Sequence, residues 1–187
     1  IAQRFEQRHR ALLVLEALAV LERQIEKLPL VQRQLVVEAV PEDLDLKREM
    51  FATLGAAADD GTVIASNTSG LSIEELGSAS GRSSQVIGLH FFNPVPAMRL
   101  VEVVRAPDTT DATVARGVEF ARAVGKETVE VRDMPGFVTT RLGTLLMCEA
   151  MRAYEQGVAS AEHVDTAMKL GYNHPMGPLE LADRVGL

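Results

Sequence analysis

Apolar residues fall in short blocks, and the period of those blocks changes along the chain. Val14, Leu18, Leu21, Ile25 and Leu28 recur every three or four positions, with Glu22, Arg23, Glu26 and Lys27 between them. That spacing predicts an amphipathic helix over residues 1–28, stopped by Pro29. About two heptads are too few to specify a coiled coil. Beyond it the blocks shorten. Leu35-Val36-Val37-Glu38-Ala39-Val40, Thr62-Val63-Ile64-Ala65-Ser66, and residues 86–89, 100–104 and 128–131 read as strands. Helical stretches lie between them. Asp43 is placed to cap one running to Ala58, Ser72 to open a short one, and Asp111 to cap one that Gly125 closes. Asp59-Asp60-Gly61 is a turn.

Strands alternating with helices predict an α/β fold with a mostly parallel sheet. In such sheets ligands sit beyond the carboxyl ends of the strands. Glu42, residues 66–69 and residues 90–93 all fall just past expected strand ends. The pattern changes at Asp133-Met134-Pro135-Gly136. From 137 to 157 it is helical, with Leu142, Leu145, Leu146, Ala150 and Ala153 on one face. Ser160 opens a further helix ending at Gly171, and Leu179 begins a third. A domain boundary is therefore expected at residues 133/134.

Composition narrows the function classes. The chain has 187 residues, 47% hydrophobic and 24% charged, with a formal net charge of −7. No basic run stands out, so nucleic acid is not an expected partner. No segment approaches the roughly 18 apolar residues of a membrane span, so no membrane partner is expected either. The single cysteine, Cys148, has no second thiol to pair with and reads as a small buried hydrophobe. No metal-ligand spacing occurs, and the setting expected is cytoplasmic.

His90 is the best general-base candidate, because imidazole titrates near neutrality. Its neighbours Asn93, Pro94 and Pro96 make a rigid segment suited to presenting polar groups. Glu102, on the next strand, can hydrogen-bond the ring and fix its tautomer; otherwise it is a surface carboxylate on an edge strand. Ser69, in the turn Asn67-Thr68-Ser69-Gly70, can hydrogen-bond a substrate oxygen or simply form the turn. Glu42 and Lys47 suit a nucleotide ribose, or a surface ion pair. His163 reads as solvent-facing and His174 as a loop residue. No nucleophile elbow is present, so a hydrolase has little support.

Ser66-Asn67-Thr68-Ser69, residues 88–96, Leu100-Val101-Glu102, residues 133–138 and residues 170–181 together resemble the L-3-hydroxyacyl-CoA dehydrogenases, including the 3-hydroxybutyryl-CoA dehydrogenases. The likeness runs from about Leu35 to Leu187 and is looser before it. It implies a Rossmann-type domain over 1–133 that binds NAD, and the beginning of a helical dimerisation domain over 134–187. The reaction implied is NAD-dependent oxidation of a (S)-3-hydroxyacyl-CoA to the 3-ketoacyl-CoA, in fatty-acid β-oxidation or 3-hydroxybutyryl-CoA metabolism. By motif position His90 is implied as the base, Glu102 as its orienting partner and Ser69 as the hydroxyl on the substrate oxygen. Ser69, Asn93, Glu42 and Lys47 are implied as cofactor contacts. An acyl-CoA substrate is implied, and a homodimer for the full-length protein.

The sequence departs from the family pattern in three ways. No G-x-G-x-x-G occurs in it, so the phosphate-binding glycines are expected before residue 1, and a chain without them is expected to bind NAD poorly. It stops early in the helical domain, so it reads as a piece truncated at both ends. Thr140 stands where the family commonly has Asn, offering a shorter hydroxyl for positioning substrate. Two other readings stand beside the dehydrogenase: a non-catalytic structural or binding protein on the same fold, and a dehydrogenase module of a multifunctional fatty-acid oxidation protein.

Overall fold

The computed structural model describes residues 35–186. The helix expected over residues 1–28 lies outside the described residues. The chain divides into two compact units, one ending at Phe137 and one beginning at Val138.

The first unit is built on a five-stranded sheet of β1 (Leu35–Glu38), β2 (Val63–Ser66), β3 (Val86–Phe91), β4 (Leu100–Arg105) and β5 (Glu127–Arg132), arranged in chain order. β1, β2 and β3 run parallel, β4 runs against β3, and β5 runs parallel to β4. Among the described residues of this unit the helices are α1 (Leu44–Ala57), α2 (Ile73–Ser80) and α3 (Asp111–Ala123), with a single 3-10 turn at Ser83–Gln85. This is the α/β, mostly parallel sheet that the alternating pattern implied, of the Rossmann type that the family resemblance implied.

The side-chain period of two sorts the core into two layers. Ile64, Val86 and Val104 pack with Met50, Phe51 and Leu54 of α1 and with Ile73 and Leu76 of α2. Their neighbours Val63, Ala65, Ile87, Leu89 and Val103 pack with Val114 and Ala121 of α3. β2 is buried along its whole length, which is why it reads as an unbroken apolar run rather than an alternating one. Each fully buried Ile, Leu or Phe adds roughly 1.5–3 kcal/mol.

Caps set the helix starts. Asp43 accepts the Leu46 N–H at 3.0 Å, and Ser72 accepts that of Glu75 at 3.2 Å, both at the expected positions. α3 differs: Thr110, not Asp111, is the N-cap and accepts from Thr113 N at 3.3 Å. Thr110 has the extended backbone a cap needs, whereas Asp111 is already helical and pairs with Arg105 at 2.6 Å. Hydrogen bonding to Asp111 holds the Arg105 guanidinium above its ordinary value, so it stays cationic.

β3 is longer than its apolar run. Its parallel ladder with β2 stops at the Ser66–Gly88 pair, but its antiparallel ladder with β4 continues through His90 and Phe91. His90 is therefore inside the strand, not past its end. β4 is flanked by β3 and β5, so Glu102 does not stand on an edge strand.

The second unit holds α4 (Thr139–Glu155), α5 (Ala161–Gly171) and α6 (Pro178–Val185). α4 starts after Phe137, whose φ of 50° is not helical. Met147 and Ala150 are the buried residues of α4, while Leu142 and Leu145 of the expected apolar face are 59% and 61% exposed. Cys148 is half-buried rather than enclosed. The Asp165 carboxylate caps α6 through Leu179 N at 2.8 Å and Glu180 N at 3.0 Å. Gly177 leaves room for it, since a Cβ there would meet the carboxylate at 2.2 Å.

α1 and α2 meet where a Cβ on Gly55 would lie 1.9 Å from the Ser80 carbonyl oxygen. Gly55→Ala must push the helices apart, with an expected loss of about 2–3 kcal/mol. Urea unfolding followed by far-UV circular dichroism reads this, and an unchanged midpoint would mean the helices do not approach so closely.

Candidate active site

The antiparallel register sets His90 directly opposite Glu102. Such pairs place their side chains side by side on one face of the sheet. His90 Nδ1 lies 2.8 Å from Glu102 Oε2, with Glu102 fully buried and His90 only 5% exposed. A carboxylate only accepts, so Nδ1 carries the proton and the lone pair of the neutral ring sits on Nε2. Phe92 and Phe137 stand against the imidazole, with ring centroids at 4.5 and 5.8 Å. They give the ring an apolar surround that strengthens its link to Glu102.

Ser69 lies on the turn that leaves β2. Thr68 is buried beneath it and donates its hydroxyl to Glu42 Oε1 at 2.5 Å, while accepting from Leu71 N at 2.9 Å. The Ser69 N–H also reaches Glu42 Oε1, at 2.9 Å. Glu42 thus holds the turn through two bonds, and its own side chain remains 46% exposed. Ser69 is exposed, and among the described residues its hydroxyl has no hydrogen-bond partner. Asn67 closes the group, accepting at Oδ1 from Phe91 N, the residue after His90, at 2.8 Å.

Lys47 is not part of a surface pair. Its ammonium is 1% exposed and lies 2.8 Å from Glu38 Oε1, 3.0 Å from the Val40 carbonyl oxygen and 3.6 Å from Glu42 Oε2. Glu38, equally buried, also accepts from Ser66 Oγ at 2.7 Å and Val40 N at 2.5 Å. The sequence gives no sign of this cluster, because Glu38 looks like a polar interruption at a strand end. What it holds is the ends of β1 and β2 and, through Glu42, the Ser69 turn. Asp133 is another residue that pattern reading passes over. It accepts from Glu74 N at 2.8 Å and Ser72 Oγ at 3.1 Å, so it tethers the start of α2.

Asn93 is exposed in the segment after β3, and its bond to Pro94 is cis. The stem of that segment is held by Lys126 Nζ, which donates to the carbonyl oxygens of Val95 at 2.5 Å and Met98 at 2.8 Å. Thr140 belongs to the first turn of α4, in the other unit. His163 is exposed and His174 lies in a loop, both in the second unit. Among the described residues no group of three His, Cys, Asp or Glu could hold a metal ion, and no helix is long and apolar enough to cross a membrane. Glu42, Ser69 and Asn93 offer a carboxylate, a hydroxyl and a carboxamide past the carboxyl ends of β1, β2 and β3. Those groups fit the ribose hydroxyls and the amide of a nicotinamide nucleotide.

Fold and site together define a Rossmann-type α/β domain with a histidine–glutamate pair, followed by a helical unit. Comparison with known proteins identifies the family. The profile of the 3-hydroxyacyl-CoA dehydrogenase NAD binding domain matches residues 4–134, and that of the 3-hydroxyacyl-CoA dehydrogenase C-terminal domain matches residues 136–187. The chain belongs to the 3-hydroxyacyl-CoA dehydrogenase family. Mitochondrial hydroxyacyl-coenzyme A dehydrogenase of Homo sapiens is 50% identical over 153 residues, which are 82% of this chain and 49% of that protein. 3-Hydroxybutyryl-CoA dehydrogenase of Clostridioides difficile is 46% identical over 82% of this chain and 54% of its own length. The crystal structure of (S)-3-hydroxybutyryl-CoA dehydrogenase from Ralstonia eutropha matches with a TM-score of 0.79 at 41% identity, covering 81% of this chain and 54% of that one. The chain spans about half the length of the curated relatives it matches.

Removing one member of the buried ion pair strands the other. Lys47→Met is expected to cost about 3–5 kcal/mol, and adding Glu38→Gln should recover at least half of that by removing the stranded charge. A double-mutant cycle in urea measures the coupling; additive losses would show that the two charges do not depend on each other.

Proposed function

We propose that the full-length protein is an NAD-dependent (S)-3-hydroxyacyl-CoA dehydrogenase, with 3-hydroxybutyryl-CoA as its reference substrate. The observation that carries this reading is the buried His90–Glu102 pair, joined at 2.8 Å. An alcohol is a poor hydride donor until a positioned base draws off its proton. His90 Nε2 takes the proton of the substrate hydroxyl. Glu102 keeps the ring in the tautomer that can do so and stabilises the imidazolium that forms. The Ser69 hydroxyl hydrogen-bonds the same substrate oxygen. NAD, when bound, supplies the hydride acceptor for carbon 3. Glu42 and Asn93 contact it directly with Ser69, and Lys47 acts from behind Glu42. Thr140 takes the substrate-positioning place with a hydroxyl. In the reducing direction protonated His90 returns the proton.

The same reading divides the whole protein at residues 133/134 into a nucleotide-binding domain and a helical dimerisation domain. In support, the two family matches meet at residues 134 and 136. A homodimer accords with the exposed leucines of α4, Leu142 and Leu145. A reducing, cytoplasmic setting accords with a lone Cys148.

The test is reduction of acetoacetyl-CoA by the full-length protein, followed by loss of NADH absorbance. His90→Gln should lower kcat by about a thousandfold while KM moves little, as removal of a general base requires. Turnover close to wild type in that variant would take the role from His90. Glu102→Gln should lower kcat by at least a hundredfold, because a carboxamide no longer dictates the imidazole tautomer.

A further inference from the structure

Resting on the dehydrogenase reading, we propose that Asn67 is a positioning residue, clamping the end of β3, and so His90, to the turn that carries Ser69. The parallel ladder between β2 and β3 stops at Ser66 and Gly88. β2 ends at Ser66, and past that point the two strands share no ladder pair. Asn67 joins them there with a side chain, its Oδ1 taking the Phe91 N–H at 2.8 Å. Only the oxygen of a carboxamide accepts, so the orientation of the group follows from the donor it faces. The Asn67 backbone is itself anchored, donating N–H to the Glu38 carbonyl oxygen at 2.8 Å. One residue therefore links the carboxyl ends of three strands.

What this controls is relative position. On one side His90 is held by its ladder with β4 and by Glu102. On the other, Ser69 follows Asn67 by two residues and is held by Glu42. Asn67 is the bond between the two groups. Without it, β3 keeps its β4 partner and the Ser69 turn keeps its Glu42 partner, and the last tie between them is the Ser66–Gly88 pair, two residues short of His90 and three short of Ser69. The proton acceptor and the hydroxyl must meet one substrate oxygen, and a displacement of about 1 Å there can cost a hundredfold in rate. Asn67 touches neither substrate nor reacting atoms in this scheme; it acts through Phe91 and the turn.

The experiment compares Asn67→Ala and Asn67→Asp in the full-length protein, well below the melting temperature of each. Asn67→Ala should lower kcat by about 10- to 100-fold with KM for acetoacetyl-CoA and NADH within about threefold. Asn67→Asp keeps an acceptor of the same shape and should return kcat to within about fivefold of wild type. Amide hydrogen exchange adds a readout independent of activity: Phe91 should be protected in wild type and in Asn67→Asp and should lose protection in Asn67→Ala. A folded Asn67→Ala protein with kcat within twofold of wild type, or with Phe91 still protected, overturns the proposal. Equal losses in both variants overturn it too, since the acceptor would not matter. If Asn67→Ala does not fold, Asn67→Ser, whose hydroxyl is too short to reach Phe91, is read in its place. A wild-type protein inactive toward acetoacetyl-CoA counts against the proposed reaction, and exchange at Phe91 then decides the clamp by itself.

Discussion

The antiparallel step from β3 to β4 is the constraint on which the site depends. In a wholly parallel sheet the residue beside His90 would come from a strand running the same way, and that strand would arrive by way of a crossover helix. Reversing direction lets the eight-residue connection 92–99 bring Val101, Glu102 and Val103 back alongside residues 89–91. His90 and Glu102 then face each other as cross-strand neighbours, and their 2.8 Å bond needs no loop to hold it. Because β5 covers the far side of β4, Glu102 is buried without being at an edge. A carboxylate so placed loses much of its hydration and is tolerated because the imidazole gives it a partner. Strand pairing, burial and tautomer are thus consequences of one reversal.

The second half of the site is built on charge rather than on a ladder. Glu38 and Lys47 are both withdrawn from water and satisfy each other, with Ser66, Val40 and Glu42 taking up what remains. Replacing such a pair by apolar residues is often neutral for stability, so what the pair contributes here is geometry more than energy. Here the geometry is that of the Ser69 turn, reached through Glu42. Stability of the first unit comes instead from the two apolar layers on either side of the sheet.

Much of this was legible in the chain. Short β-branched runs separated by capped helices reported the α/β order, and Asp43 and Ser72 marked helix starts that the structure keeps. His90, Glu102 and Ser69 stood out because their residue types suit proton transfer and their positions lie near strand ends. What pattern reading missed has a common cause: it depends on partners distant in sequence. The length of β3 is set by β4, so an apolar run ending at Leu89 could not disclose that His90 is within the strand. Asn67 looks like a turn residue until Phe91 is beside it, and Asp133 like a linker residue until α2 is. Which part of the α4 face is covered was not legible, because helical period marks apolar positions without saying which of them a neighbour covers. Leu142 and Leu145 fit the period yet stay exposed in their unit. Thr110 and Asp111 are both able to cap, and only the backbone at each decides between them.

The distribution of hydrogen-bonding capacity separates the groups that build the site from those that can act in it. Buried polar groups in a folded protein are almost always partnered. Thr68, Glu38, Lys47 and Glu102 obey this, each buried and each bonded to a neighbour. A cluster that served only to close the ends of three strands would finish there. Three groups do not fit that account. Among the described residues, the Ser69 hydroxyl, the Asn93 carboxamide and His90 Nε2 carry hydrogen-bonding capacity that no side chain or backbone group takes up. Ser69 and Asn93 are exposed, and water can serve them. His90 is not: it is 5% exposed, its Nδ1 is committed to Glu102, and aromatic rings stand against it. An oriented imidazole whose second nitrogen no protein group takes up is what the proposed proton transfer requires.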